Sequence, residues 1–453
     1  MPGKIPSRAN TLVQAPGVRD EPRAFPKALG ASKGHYSMST DFTWMPQLTV
    51  DIGGRPGLDC RGFCDYCYFR HAKDVPPFGC RHCPPFRKGC DYCSRSVKER
   101  YSGFRDLPAI ADDVLANLQM MEGDLTRITI SGGGDPSCYP RFRDLVDLLA
   151  GMEAPLHIGY TSGKGFDDPT LSQFLVDRGL AEVSFTIFAS SPELRRKHMH
   201  DPTPEVSLSI LEDLCEGCDV YGAAVVIPGM NDGEVLFETC SWLEERGAKG
   251  LILMRFANTL ESGLILGNAP ILPGQTMQTV EEFRDMVTNL SREFRMKITG
   301  TPLWDPEIGS PFTILSEDGL LDKLPRVTGR ATVVSGRVAA PFIQEILDRR
   351  GYRCRVIPVD KEIACLITID DLERLDPDDL EGVVIFPGRA FVHDEEAREV
   401  LSADGCDRVV VRGPETLTAD GETSMGMTRN QVLEMEMEGL GNLIRLINQY
   451  GKE

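Results

Sequence analysis

Six times between residues 48 and 258 the chain passes through a short apolar run and then into a segment of helical periodicity. The runs are LTVDIGG (48–54), RITISGGG (127–134), LHIGYTSG (156–163), EVSFTIF (182–188), YGAAVVIPG (221–229) and LILMRFAN (251–258). Each is short, continuous, rich in β-branched and aliphatic residues, and most end in glycine or a polar residue. Such runs are strands covered on both faces, which means a parallel sheet. The helical segments fall near 108–121, 140–152, 169–179, 204–217, 232–246 and 279–294. Six β-then-α units with right-handed crossovers predict a closed or partly closed barrel with its helices outside. MKITGTPL adds a weaker strand after the sixth helix. The fold class is therefore α/β, with a partial (β/α)6 barrel over 46–326.

Beyond about residue 326 the rhythm restarts. ATVVSG (331–336) is a strand, and RVAAPFIQEILDRRG is a helix in which Val338, Phe342, Ile346 and Leu347 share a face. YRCRVIPV, GVVIFPG and RVVVRG are three further strands, and a last helix opens with a capping box, Thr428 to Gln431, and runs to Gly451. These elements predict a smaller Rossmann-like α/β domain over 327–453. Residues 1–45 are rich in Pro, Gly and basic residues and read as a flexible leader.

Seven of the chain's 14 cysteines lie between Cys60 and Cys93. The leader has no secretory apolar core and no stretch approaches the ~18 apolar residues of a membrane span, so the expected compartment is the reducing cytoplasm. Disulfides rarely persist there, and clustered cysteines in that compartment more often bind metal or do redox chemistry. A net charge of −19 excludes a nucleic-acid partner and is compatible with a basic peptide or small cationic substrate.

The cysteine loop directly follows the first strand and so lies at the rim where such barrels place their active sites. Cys60, Cys64 and Cys67 form C-x3-C-x2-C. Three thiolates hold three irons of a [4Fe–4S] cube and leave the fourth iron for a substrate, whereas a full set of cysteines would suit electron transfer. Cys80, Cys83, Cys90 and Cys93 make an S4 set for zinc or a single iron, and the residues alone favour structural zinc over iron or a second cluster. The other cysteines, at 138, 215, 218, 240, 354, 365 and 406, read as small core hydrophobes, with Cys215 and Cys218 inside a helix.

C-x3-C-x2-C with Tyr66 before its third cysteine resembles the signature of radical S-adenosylmethionine (SAM) enzymes. In that family SAM chelates the open iron, and an electron cleaves it to methionine and a 5′-deoxyadenosyl radical. SGGGDP (131–136) stands where the family has its glycine-rich motif. The resemblance implies SAM contacts at Gly132, Gly133, Gly134 and Asp135, with Asp135 replacing a commoner Glu. VVIPGMND (225–232) resembles the motif that supports the adenine, which adds Ile227. Phe188, Ser190 and Arg255 end the fourth and sixth strands.

From DIGGRPGLDCRGFCDYCYF through the four-cysteine loop to ERYSGF, and on through the C-terminal domain, the chain resembles methanogenesis marker protein 10 over about 400 residues. That family is a cobalamin-dependent radical SAM enzyme that C-methylates an arginine of methyl-coenzyme M reductase. The resemblance implies 5-C-methylarginine on the α subunit, an external electron donor, and methylcobalamin as methyl donor. It also implies mononuclear iron rather than zinc at the four-cysteine loop (about 70–105), and Tyr101 as a tyrosine that occupies the cluster's open site when SAM is absent.

A D-x-H-x-x-G cobalamin motif is missing, and His393 does not fit one, so cobalamin rests on the resemblance alone. Gly336, Pro387, Gly388, Arg412 and Gly413, in glycine-ended turns, are candidates for its cradle. A substrate guanidinium needs a carboxylate clamp, for which Asp135, Asp305 and Glu307 lie near strand ends. A radical SAM enzyme without cobalamin, and a non-catalytic iron–sulfur or zinc protein, remain as alternatives.

Overall fold

The computed structural model describes residues 47–71, 103–121, 123–264, 270–351 and 353–451. The first half builds seven parallel strands, each beside its predecessor in the chain. They are β1 (Gln47–Asp51), β2 (Arg127–Ser131), β3 (Leu156–Thr161), β4 (Leu180–Thr186), β5 (Asp219–Val226), β6 (Gly250–Arg255) and β7 (Lys297–Thr301). Helices α1 (Leu107–Met120), α2 (Phe142–Ala150), α3 (Leu171–Asp177), α4 (Pro204–Gly217), α5 (Gly233–Glu245) and α6 (Val280–Glu293) return the chain between them. The expected partial barrel is present. The weak seventh strand is a full member, paired with β6 from Gly250↔Lys297 to Met254↔Thr301.

Strand alternation sorts the side chains. Ile128, Ile130, Val183, Phe185, Leu251 and Leu253 join the helices in the main core. Arg127, Thr129, Glu182, Ser184 and Tyr221 alternate with that set and face the lumen.

The lumen holds a polar network across three strands. Arg127 Nη2 lies 2.6 Å from both His157 Nδ1 and Glu182 Oε1. Because the guanidinium only donates, the imidazole carries its proton on Nε2, 3.1 Å from Ser184 Oγ. Burial, reinforced by the Arg127 charge, pushes the His157 pKa down to about 3. A folded value below the ordinary ~6.5 favours the neutral ring. The stability this contributes is complete above that ordinary value and is lost as pH falls through the window toward about 3. By pH 5 the loss is about 2 kcal/mol. We expect His157→Gln to remove most of the difference in denaturation midpoint between pH 7 and pH 5, and an unchanged difference would place the acid sensitivity elsewhere.

The second half carries a separate parallel sheet in the order β11-β10-β8-β9. Its strands are β8 (Ala331–Gly336), β9 (Cys354–Val359), β10 (Val383–Phe386) and β11 (Val409–Arg412). Helix α7 (Ala340–Arg350) buries Ile346 and Leu347 as expected. The remainder of its face differs from the expectation: Val338 precedes the helix and Phe342 is half-buried against Phe312, while Ala340 and Ile343 face the core. Helix α8 (Asp394–Leu401) follows β10. Helix α9 (Arg429–Tyr450) opens on the Thr428–Gln431 capping box.

The scattered cysteines divide. Cys240 and Cys354 are buried, Cys138, Cys215, Cys218 and Cys365 are half-buried, and Cys406 is exposed, which corrects its assignment to the core. Cys218 caps α4 from beyond its last residue rather than sitting inside it. Residues 1–45 lie outside the described residues. No helix among the described residues is long and apolar enough to cross a membrane.

The two sheets approach each other through their carboxyl ends. After β9, Lys361 Nζ donates to the Leu260 carbonyl at 2.9 Å and Glu362 N to the Glu261 carbonyl at 3.0 Å, in the loop that follows β6. Glu362 also pairs with Arg255 at the end of β6. After β11, the 420–425 turn runs along the lumen side of β7. Asp420 accepts from Thr301 Oγ1 at 2.6 Å, the Gly421 carbonyl from Thr299 Oγ1 at 2.7 Å, and the Ser424 carbonyl from Lys297 Nζ at 2.8 Å. Met425 ends the turn among Ala223 and Ile252, the lumen-facing residues of β5 and β6.

Candidate metal centre

β1 delivers the chain to the barrel rim, where DIGGRPG folds the cysteine loop back over the end of β2. Gly54 has φ +98, and a Cβ there would lie 2.6 Å from Gly134 N, so only glycine lets the two glycine turns touch. Gly134 N donates to the Gly53 carbonyl at 3.1 Å, and Gly132 packs against the same carbonyl. The turn SGGGDP is thus held directly beside the cysteine loop.

Cys60, Cys64 and Cys67 are all half-buried and within electrostatic reach of one another. Burial, with Asp135 adding, pushes the Cys60 thiol up to about 12, although Gly57 N–H, 3.3 Å from Sγ, opposes the rise. Burial likewise pushes Cys67 up to about 11 and raises Cys64, against which Lys164 acts. The Gly57 backbone N–H points at Cys60 Sγ, and such N–H groups are the donors that a metal-bound thiolate uses. Tyr66 is buried, and its hydroxyl, without a nitrogen or oxygen partner, lies against the Cys64 thiol.

No three His, Cys, Asp or Glu side chains among the described residues converge on a single-ion position. A cluster spreads three thiolates over three irons, so this donor set fits a [4Fe–4S] group and not a lone ion.

An apolar shell surrounds the loop. Tyr66 stacks on Phe188 at 4.9 Å, and Met199, Ile227, Phe256, Leu264 and Ile271 complete the cluster. Phe188 is fully buried at φ +62, a backbone strain held by its neighbours. Asn231, also fully buried, holds it: Nδ2 donates to the Phe188 carbonyl at 2.9 Å and the Val225 carbonyl at 2.8 Å, while Oδ1 accepts Ile227 N at 2.8 Å. Ser190 N donates to Thr239 Oγ1 at 3.1 Å. Phe188 and Ile227 therefore meet at the ends of β4 and β5, and Ser190 is anchored to α5.

Asp135 has a different occupation. Its carboxylate accepts from Ser137 N and Oγ at 2.9 and 2.7 Å, Thr161 Oγ1 at 2.6 Å, Ser162 N at 2.9 Å, and the Ser162 hydroxyl. It pins the glycine turn to the end of β3. Asp305 is fully buried on Ser424, Lys297 and backbone N–H groups, and Glu307 is exposed. Arg255 joins β6 to Glu362 and the Gln278 carbonyl.

In the second sheet, Gly388 and Gly413 come together, with the Gly388 face closed by the Pro414 carbonyl and the Gly413 face by Phe386 and Ile385. Pro387 belongs to the same turn, which Arg412 braces by donating to the Gly388 carbonyl at 2.8 Å and pairing with Asp394 at 2.7 Å. Gly336 stands apart, against backbone at 362–364. His393 caps α8 by accepting Glu395 N at 3.2 Å. Cys80, Cys83, Cys90, Cys93 and Tyr101 lie outside the described residues.

Several residues that hold the site carry no signal in spacing. Asp65, between Cys64 and Tyr66, is met by His198 Nδ1 at 3.2 Å, His200 Nε2 at 2.9 Å and Arg70 at 2.8 Å. His198 lies in a π-helical turn, Arg195–Met199, and His200 caps it; the Met199 carbonyl receives the Cys64 thiol at 3.6 Å. Lys164 lies in TSGKG at the end of β3 and Asn231 in VVIPGMND. The motifs were visible, but the roles depend on which loops the barrel brings together.

Residues 55–237 match the family model described as the Radical SAM superfamily. A search of curated proteins gives no match. Among solved structures, SuiB of Streptococcus suis is similar at 12% identity and TM-score 0.33, covering 55% of this chain and 46% of that one, so the chain spans less than half of SuiB. Methylornithine synthase (PylB) is similar at 12% identity and TM-score 0.36, covering 80% and 82% of the two chains. A radical SAM methyltransferase from Sphaerobacter thermophilus is similar at 16% identity and TM-score 0.32, covering 58% and 67%. Residues 55–237 form a domain of the radical SAM superfamily, a family that implies a [4Fe–4S] cluster and SAM.

Proposed function

We propose that the chain is a cobalamin-dependent radical SAM methyltransferase that C-methylates an arginine side chain of the methyl-coenzyme M reductase α subunit, giving 5-C-methylarginine. The observation that carries this reading is the contact between carboxyl ends of the two sheets, where Arg255 at the end of β6 pairs with Glu362 and Lys361 donates to the Leu260 carbonyl. Parallel α/β sheets bind ligands at such edges, so two cofactors and a side chain can converge there. The likeness of the cysteine loop to methanogenesis marker protein 10 supplies the substrate.

When bound, the cluster with SAM supplies hydrogen-atom removal at an unactivated carbon, and methylcobalamin supplies the methyl group, with electrons from an external donor. The chain's own residues prepare the space. Cys60, Cys64 and Cys67 hold the cluster; the Tyr66–Phe188 stack and the surrounding aliphatic shell exclude water from it. The turns that carry Pro387, Gly388 and Gly413, and the one at Gly336, end strands of the second sheet and would offer backbone to the second cofactor, while His393 caps α8. Asp135 and Asp305 are saturated internally. The lumen instead presents Glu422, which keeps exposed surface and partners Tyr160, to a substrate guanidinium. The four-cysteine loop is assigned iron on the same likeness.

The test is anaerobic purification with cobalamin, metal analysis, and incubation with SAM, reductant and an arginine-containing target peptide. We expect about five irons and one cobalt per chain, 5′-deoxyadenosine, and a mass gain of about 14 Da on the arginine. Four irons, one zinc and no cobalt, with deoxyadenosine but no methylation, would keep the radical chemistry and remove the methyltransferase.

A further inference from the structure

Lys164 is 1% exposed, among the largest fully buried side chains in the molecule. Its Nζ donates to the carbonyl of Gly62, inside the cysteine loop, at 2.7 Å. Cys64 and Cys67 both lie within reach of its charge. Arg61 fixes the backbone around it, donating Nη1 to the Lys164 carbonyl at 2.9 Å and pairing Nη2 with Asp167 at 2.7 Å. Among the described residues no carboxylate pairs with Lys164. A buried ammonium is strongly unfavourable unless an anion compensates it. Here the groups that can do so are the thiolates.

We propose that Lys164 is a positioning residue that compensates the thiolate charge of the cluster and thereby raises its reduction potential. The inference rests on the assignment of a [4Fe–4S] cluster to Cys60, Cys64 and Cys67. On reduction the cluster gains one electron from an external donor such as titanium(III), which is oxidised to titanium(IV). No bond forms or breaks, and the step moves one electron without a proton. The added negative charge lies against a fixed cation in a site of low polarity, so the reduced form is stabilised more than the oxidised form. A lysine at the carboxyl end of β3 thus couples the barrel to the ease with which its cluster accepts an electron.

The test uses the full-length chain, reconstituted anaerobically with iron and sulfide and without SAM, as wild type, Lys164→Gln and Lys164→Arg. Iron and sulfide are counted, and the midpoint potential is followed by electron paramagnetic resonance during titration with titanium(III) citrate. Wild type and Lys164→Arg should load about four irons at Cys60, Cys64 and Cys67 and titrate close together, once iron at the four-cysteine loop is removed by Cys80→Ala and Cys90→Ala in all forms. Lys164→Gln should load less than half as much cluster, or be at least tenfold harder to reduce, a shift of about 59 mV for one electron. Lys164→Met, of similar length, replaces the Gln form if circular dichroism shows that form unfolded. A neutral variant that loads and titrates as wild type overturns the proposal. A wild-type chain that takes up no cluster removes the cluster assignment itself, a failure seen without any Lys164 variant.

Discussion

Cys64→Ala should lose the cluster and with it SAM cleavage, by at least roughly three orders of magnitude, as when a member of an interdependent catalytic set is removed. Cys64 is set against Tyr66, Lys164 and the Met199 carbonyl. Without it one iron has no protein ligand, and the buried ammonium faces an apolar methyl. Cys138→Ala is the control. Cys138 lies within electrostatic reach of Cys60, and burial pushes its thiol up to about 12, but it falls outside the C-x3-C-x2-C spacing. Absorbance near 400 nm, iron content at the C-x3-C-x2-C site and 5′-deoxyadenosine formation check the pair. A Cys64→Ala protein with full cluster, or a Cys138→Ala protein without it, would sink the ligand assignment.

The cysteine motif and the fold were legible for one reason: both follow from local sequence periods. A buried parallel strand writes itself as a continuous aliphatic run, and six such runs came with their helices within a few residues of the observed bounds. The cysteine spacing is local too. β7 was weak in sequence because KITGT has a polar, glycine-broken centre, yet it pairs over five residues. Its lumen face, Lys297, Thr299 and Thr301, is polar because a turn of the second domain covers it. No local pattern announces that cover. The same holds for Asp135, whose carboxylate looked free for a ligand and is instead saturated by donors 26 and 27 residues away. Lys164 contacts Gly62 across 102 residues. What decides these roles is which loops share the rim, and that is set by the closure of the sheet rather than by any short stretch.

The largest stability effect should come from Arg195→Met. Arg195 and Asp201 form an ion pair in which both side chains are fully buried, at 2.7 Å. The guanidinium also donates to the Thr186, Ile187 and Ser162 carbonyls at 3.2, 2.8 and 2.7 Å and to Ser207 Oγ at 3.3 Å. It thereby ties the ends of β3 and β4 to the π-helical turn that backs the cysteine loop. Methionine fills the volume but leaves Asp201 as an uncompensated buried charge and three carbonyls without their donor. Breaking a buried pair in this way costs about 3–5 kcal/mol. Asp201→Leu combined with Arg195→Met removes the stranded charge and should recover part of that loss. Recovery stays incomplete because the backbone carbonyls remain unpaired, and an unsatisfied buried acceptor costs about 1–3 kcal/mol. Denaturant midpoints for the two single variants and the double variant test this, with iron uptake measured at a temperature where each stays folded. Cluster loading should fall in Arg195→Met even when folded, because Phe188 and Met199, the neighbours of Tyr66 and Cys64, sit on the two segments the guanidinium joins. An Arg195→Met protein within about 0.5 kcal/mol of wild type, the range of ordinary surface changes, would mean that the rim is held by its apolar shell alone.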